Sequence, residues 1–574
     1  MTDQKADNLL NLALDTPEEE REQTEELNVG YIKSTRSWEL IVKYNGDLAA
    51  VLSGKFPGAK MTELLGGFAV LTVPEAQVED VIALSEIEYA EKPKRLFFAV
   101  NQGRAASCIS PLQAGESGLF GKGVLVAVID SGIDYFHDDF RNPDGTSRIL
   151  YLNDQRSGVT YTKAQIDEAL RSGSREQAAR LVPVTDVSGH GTAVAGIAAG
   201  NGRESGGRYR GAAPESELII VRLGTPDPDG FPRTTELMRG LDFAVRTAVS
   251  LGRPLAVNLS FGNTYGSHDG NGLLERYIDT LSGIGRNAFI AGSGNEGDAG
   301  GHTSGTLSEG TEQVIELSVA PFETGLNVQL WKSYLDDVDI YLANPSLEHV
   351  ERISSRLGPH RLDMGSTDVL VYYGEPGPFN ESQEIYFDFI PNGGYVESGI
   401  WKIILRPVRI VLGQYELWLP SEAVLNRATR FLKPTPDQTL TIPSTAARVI
   451  TVGAYDDATE TYAPFSGRGG GMGNWQQKPD LAAPGVGIIA PMAGGGYGPV
   501  TGTSFAAPFV TGAAALLMEW GIVLGNDPYL YGDKLREYLR KGARRLPGET
   551  EYPNPRLGFG ALCAAGSKSG AKRA

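Results

Sequence analysis

Cysteine is scarce: Cys108 and Cys563 are the only two in 574 residues. They could pair with each other, but a disulfide scaffold is excluded. Basic residues are outnumbered, 52 Lys and Arg against 70 Asp and Glu, for a net charge of −18. Phosphate backbones and anionic membranes are bound by clustered Lys and Arg, so the balance argues against a nucleic-acid or membrane partner. The short basic end (Lys568, Lys572, Arg573) reads as a frayed tail. Also missing is any apolar run that reads as long enough to cross a membrane. The start, MTDQKADNLLNLALDTPEEE, has neither a basic n-region nor an apolar h-region, so it does not read as a secretory signal peptide. The expectation is a chain that folds inside the cell.

Glycine, in contrast, is abundant at 72 residues, which suggests many tight turns in an α/β or β-rich architecture. The length exceeds one ordinary core and predicts several domains. Residues 1–36 are polar, with nine acidic against four basic side chains, and TPEEEREQTEEL reads as a solvated helix capped by Thr16. From Ser37 the pattern changes. WELIVKY (38–44), GGFAVLTVP (66–74) and IEYAEKP (87–93) read as strands, and residues 75–85 as a helix.

Residues 115–300 alternate strands and helices. The strands are VLVAVID, SELIIVRL, PLAVNLSFG and AFIAGSGN; the helices are expected at 190–199, 234–251 and 272–284. That order implies an α/β fold with a doubly wound parallel sheet and helices on both faces. After Asn295 the pattern breaks. Residues 301–436 hold β-like runs such as TDVLVYYG, QEIYFDFI and GIWKIILRPV, separated by turn residues. They read as an inserted all-β sandwich or jelly roll. The α/β pattern resumes at ARVITVGAYD (447–456).

Three segments carry the chemistry: VLVAVIDSGID (124–134), SGHGTAVAG (188–196) and TGTSFAAP (501–508). They place Asp130, His190 and Ser504 in the order Asp, His, Ser, each beside small residues at the edge of an apolar run. A Ser before a helix is usually only a cap, a lone His is usually unremarkable, and an Asp at a strand end is usually a turn residue. Together they supply a nucleophile, a base and a carboxylate that orients the base. Other patterns are weak. GKG (121–123) precedes its strand and so is no dinucleotide fingerprint. Ser504 does not sit in G-x-S-x-G, which argues against an α/β-hydrolase esterase. SGRGGGMGN (466–474) lacks a phosphate-loop Lys and reads as a loop. His137, Asp138, Asp139 and Asp144 suggest a metal site only weakly, so no metal or cofactor is expected.

The three segments resemble the subtilisin-like serine proteases, the subtilases, whose chain order is the same. The resemblance implies a subtilisin-like core in two parts, 103–300 and 437–564, followed by the tail 565–574. Residues 1–102 would be an acidic leader and an α+β propeptide that assists folding and blocks the cleft. It implies roles for Asp130, His190 and Ser504 as the triad, and for Asn295 in GSGNEG as oxyanion donor. Ser260, Phe261 and Gly262 would pair with substrate backbone, while Gly292 and Ser293 would line the specificity pocket. Residue 193 is Ala where many relatives carry a second, non-catalytic His. Self-cleavage is expected within 100–106, with Gln102–Gly103 as first choice.

An acidic leader without a signal peptide, a propeptide and a β insertion together resemble the Csp germination proteases of spore-forming bacteria. DNLLNLALDTPEEE and ELNVGY (26–31) are similar to their leaders. This resemblance implies a serine endopeptidase, cytoplasmic or spore-associated, that cleaves its own propeptide junction and then activates the precursor of a spore-cortex lytic enzyme. Its partners would be a protein or peptide substrate and its own propeptide, retained non-covalently. The alternative is a latent or regulatory subtilase that acts as a binding or sensor protein. A third reading gives the insertion its own function in glycan binding, through Trp331, Tyr334, Trp401 and Trp418, although such aromatics are more often sandwich core.

Overall fold

Along the strand Leu125–Asp130 every residue is buried, and the alternation of its side chains assigns them to two different cores. Val126 and Val128 join Leu218 and Ile220 of Glu217–Arg222 in one core, beside the helices His190–Ala199 and Thr503–Met518. Leu125, Ala127 and Ile129 join Ile219 and Val221 in the other, beneath Thr234–Ser250 and Leu273–Leu281. A strand buried on both faces reads as a continuous apolar run because helices cover both sides of the sheet. The structure, a computed structural model, describes residues 5–21, 27–64, 66–93, 102–114, 118–224, 232–470 and 477–571. It divides into two units, Met1–Ala99 and Val100–Ala574.

The smaller unit is α+β. Its described strands form an antiparallel sheet in the order Tyr31–Ile32, Ser37–Tyr44, Phe68–Pro74, Lys60–Leu64, with Ile87–Glu91 also on Ser37–Tyr44. Trp38, Leu40 and Val42 alternate into its core with Ala69, Leu71 and Val73. The helix Leu48–Lys55 and the strand Lys60–Leu64 carry weak local signals in the sequence. The first lacks a polar face to mark its period, and the second is an edge strand with little burial. The leader departs from expectation in part: a helix is present at Glu18–Arg21 within the expected segment, but another precedes it. That earlier helix runs over Asn8–Asp15, capped by Asp7, whose Oδ1 accepts from Leu10 N at 2.9 Å. Thr16 is its C-cap instead of the start of the next helix. Leu10 and Ala13 are fully buried, so an apolar stripe binds this helix to the core. The end of the expected leader helix, 22–26, lies outside the described residues.

In the larger unit the described strands build a nine-stranded sheet. Its middle is parallel, in the order Ile450–Asp456, Asn287–Gly292, Leu255–Leu259, Leu125–Asp130, Glu217–Arg222, Ile149–Asp154. The edge strands Thr461–Tyr462 and Val159–Thr162 pair antiparallel. Asp130 ends its strand, and Ser260 and Asn295 follow theirs, so all three gather at the carboxyl ends of parallel strands. The region between Asp130 and His190 adds two strands and the helices Lys163–Arg171 and Arg175–Leu181, none of which the sequence reading assigned.

Residues 302–431 contribute two further antiparallel sheets around a separate core. Strands such as Ser382–Pro391 alternate buried and half-buried positions along their length, which explains why they were legible. The helix Thr503–Val523 is long and apolar enough by length and composition to cross a membrane, where the sequence reading found no such run. It is mostly buried, as the central helix of the core. Of the glycine-rich run 466–474, residues from 471 lie outside the described set.

Cys108 and Cys563 are bonded to each other across 455 residues of sequence. The bond joins the start of this unit to the helix Ala564–Ala571, where Ala564 N also donates to Ser107 O. A cross-link over so long a loop chiefly limits the unfolded chain. Cys108→Ser is expected to lower unfolding free energy by about 2–5 kcal/mol. Denaturant titration checks this; equal midpoints for wild type and variant would show that the bond adds nothing.

Candidate active site

His190, the candidate base, is held from two sides. His190 Nδ1 hydrogen-bonds Asp130 Oδ1 at 2.8 Å, and Asp130 is fully buried. The same oxygen accepts from the N–H and hydroxyl of Ser131 at 2.7 and 3.1 Å. Behind this pair sits Asp186, which the sequence reading missed. Its Oδ1 accepts from Ser131 Oγ at 2.8 Å and Gly189 N at 3.0 Å; its Oδ2 accepts from Thr192 N at 2.8 Å. Asp186 thus satisfies the first turn of the helix that begins at His190. The available signal was an acidic residue four positions before the His. Gly191 allows the helix to come so near: a Cβ there would lie 2.2 Å from Gly132 O and 3.1 Å from Asp130 Oδ1.

Ser504 is the second residue of the helix Thr503–Met518. Its N–H belongs to the first turn and has no intrahelical acceptor, and the helix dipole favours negative charge there. Asn295 is tied to the same turn, its Oδ1 accepting from Thr503 N at 3.0 Å and Thr503 Oγ1 at 3.1 Å. With its carbonyl so engaged, Asn295 has its amide NH2 as the remaining donor. The Ser504 N–H and the Asn295 NH2 therefore make a two-donor set suited to an oxyanion.

The expected bond from Ser504 to His190 is not formed among the described residues. Ser504 Oγ donates to the backbone carbonyl of Ser260 at 3.3 Å, and Ser260 Oγ donates to Ser504 O at 3.0 Å. A serine hydroxyl rotates to whichever acceptor is at hand, and nucleophile–base contacts are often loose without substrate. Ser260 is itself fixed by Asn258 Nδ2 at 2.8 Å, and Asn258 Oδ1 accepts from Thr511 Oγ1 at 2.9 Å.

Ser504 and Asn295 open onto a cleft of about 590 Å³. Ser260, Phe261, Gly262 and Gly292 line it as expected. Ser293 does not. It is fully buried, facing Ser466 Oγ at 3.2 Å, because it alternates with Gly292 and points the other way. One wall was not expected: Ser421, Glu422, Ala423, Leu425 and Arg427, which return from the β insertion. Glu296, next to Asn295, holds that wall. It accepts from Ser421 Oγ at 2.5 Å and Glu422 N at 3.2 Å, and burial pushes its carboxyl upward.

Gln102 and Gly103, the first-choice cleavage bond, begin the helix Gln102–Ala106. A Cβ at Gly103 would come within 2.6 Å of the Phe509 ring. A scissile bond is presented extended, so this one would have to leave its helical turn to be cut. Val100, in the wider expected region, lies outside the described residues. Asp139 accepts from Tyr497 OH at 2.8 Å and Asp144 from Thr146 N at 3.0 Å. Among the described residues no group of three or more His, Cys, Asp or Glu is placed to hold a metal.

A subtilase family profile matches residues 121–319 and 426–560, and a Csp protease B prodomain profile matches residues 4–94. The chain is 24% identical over 442 residues to the minor extracellular protease Vpr of Bacillus subtilis, covering 72% of this chain and 48% of that protein. It is 25% identical over 476 residues to the C5a peptidase of Streptococcus pyogenes serotype M18, covering 77% and 40%. The chain thus spans less than half the length of these curated relatives. Among solved structures it is similar to the Clostridium perfringens CspB protease, at 36% identity and TM-score 0.77, covering 82% of this chain and 98% of that one.

Two measurements probe this geometry. His190 is a base only when neutral. Burial favours the neutral ring, but the charges of Asp130 and Asp186 outweigh it and raise the pKa above the ordinary 6.5. The kcat/KM of peptide hydrolysis should therefore rise with pH along a limb centred above 6.5. Asp186→Asn removes one stabilising charge and should shift that limb to lower pH; a limb that stays put would remove Asp186 from the base's electrostatics. Asn295→Ala should lower kcat by about 10²–10³, the loss known for the equivalent donor in subtilisin, with little change in KM. An unchanged kcat would take Asn295 out of the oxyanion site.

Proposed function

The chain belongs to the subtilase family, and from that membership we propose that it is a serine endopeptidase working through an acyl-enzyme. The carrying observation is the buried Asp130–His190 pair at 2.8 Å beside a serine at a helix N-terminus. Ser504 Oγ turns from the Ser260 carbonyl to His190, gives up its proton and attacks the peptide carbonyl. His190 passes the proton to the leaving amine, Asp130 stabilises the imidazolium, and Asn295 with the Ser504 N–H holds the oxyanion. Water then cleaves the ester by the same steps in reverse order.

The first substrate is the chain's own junction between the N-terminal unit and the catalytic unit. The match of residues 4–94 to a prodomain supports a propeptide there. Most strands of the two antiparallel sheets of 302–431 fall where the family profile pauses, between 319 and 426, which supports a jelly-roll-like insertion. The likeness to CspB across 98% of that chain favours a role in germination: activating the precursor of a spore-cortex lytic enzyme, in the cytoplasm or the spore. The second reading, a latent or regulatory subtilase, has one observation in its favour, the Ser504 hydroxyl bonded to Ser260 in place of His190.

Intact mass separates the two readings. Purified wild type is expected as two fragments split near residues 100–106, and Ser504→Ala as one full-length chain. Fragments that co-elute would add a retained propeptide. A full-length wild-type chain would favour the latent reading, and a cleaved Ser504→Ala chain would assign the cut to another protease.

A further inference from the structure

A second cavity, of about 480 Å³, shares no lining residue with the Ser504 cleft. It lies on the insertion where the strands Leu326–Ser333 and Gln414–Trp418 pair, with Trp331 directly opposite Glu416. Neighbours in the strands, such as Leu330 and Leu417, turn into the sandwich core, so Trp331 and Glu416 share the outer face. Tyr334 stands beside them, 48% exposed. The other two tryptophans of this region, Trp401 and Trp418, are buried.

Two polar atoms of this pocket have no partner among the described residues: Trp331 Nε1 and Glu416 Oε1, both buried. Glu416 Oε2 is already used, accepting from Gln438 Nε2 at 3.2 Å. Orphaned buried polar atoms are uncommon in folded proteins and call for an explanation. Trp331 and Glu416, which carry these atoms, are paired across the two strands and line the pocket together with the Tyr334 ring.

The lining narrows the class of ligand. An anion is disfavoured by the carboxylate of Glu381. The single lysine there, Lys332, spends its ammonium on the carbonyls of Ser333 and Asp336 at 3.1 and 2.7 Å. A cation would find little charge beside Trp331, because burial pushes the Glu416 carboxyl up to about 8. What remains is a neutral ligand with an apolar face for the rings and hydroxyls that both donate and accept. We propose that this pocket binds a neutral saccharide, one sugar ring lying on Trp331 and its hydroxyls bridging Trp331 Nε1 and Glu416.

The test uses full-length Ser504→Ala protein, so that self-cleavage does not intervene, and calorimetric titration with maltotriose, cellotriose and chitotriose at millimolar concentration. Saturable binding of at least one is expected. Trp331→Phe keeps a ring but removes the N–H and should weaken that binding about tenfold, the loss of roughly one hydrogen bond. Tyr334→Ala, at an exposed position, should weaken it as well, and both variants should keep the parent's melting temperature. No saturable binding by any of the three sugars would overturn the proposal and leave the orphaned atoms to water. Binding that is unchanged in Trp331→Phe and Tyr334→Ala would equally overturn it, by placing the sugar elsewhere. None of these outcomes depends on whether the triad is active.

Discussion

The site depends on two helices approaching each other and the sheet more closely than ordinary side chains permit. His190 and Ser504 stand at the N-termini of His190–Ala199 and Thr503–Met518, and neither can be aimed unless both helices lie tight against Leu125–Asp130. Small residues make that possible. A Cβ at Gly512 would fall 2.7 Å from Ala198 O and 2.3 Å from the Ala212 side chain, and one at Gly191 would strike Gly132 O. The alanines of Thr503–Met518, from Ala506 to Ala515, are fully buried in the same core. Close-packed interiors have little room to absorb even one added methyl, so the spacing of base and nucleophile is set by atoms that are missing from these helices.

The same economy governs the polar groups. Ser131 and Asp186 connect the end of the Asp130 strand to the start of the His190 helix, and Asn258 with Thr511 connects the Ser260 turn to the Ser504 helix. The side chains proposed to be catalytic are thereby held by neighbours that are themselves held. Preorganisation of this kind is what makes donors effective in a transition state, because little reorganisation is left to do.

The β insertion is joined to the core through the segments that carry the site. Thr264 Oγ1 donates to Leu419 O, Gln329 Oε1 accepts from Gly266 N, and Glu296 holds Ser421 and Glu422. His268 stacks on Trp418 with centroids 4.3 Å apart, and His302 stacks on the same indole at 4.8 Å. Both rings are pushed toward neutrality by burial, which suits a dry junction. The wall of the cleft is therefore partly a product of the inserted sheets, although it lies beside Asn295.

The sequence by itself pointed to the candidate triad and its order, and determined the alternation of strands and helices around it and the β character of residues 301–436. These are local properties: a buried strand has a period, a helix start has a cap, and a catalytic segment keeps its small residues within a few positions. The local signal was weak at the edge strand Lys60–Leu64, and misreading fell where it was shared, as at Thr16, an equally good residue for the end of one helix and the start of another. Only the tertiary structure decided which acceptor the Ser504 hydroxyl meets, that Ser293 faces inward, that Cys108 and Cys563 are joined, and that residues 421–427 form a wall of the cleft. Apart from the direction of Ser293, which follows from its alternation with Gly292, each of those facts pairs groups more than a hundred residues apart, and such distances are set by packing across layers, which no window of sequence contains.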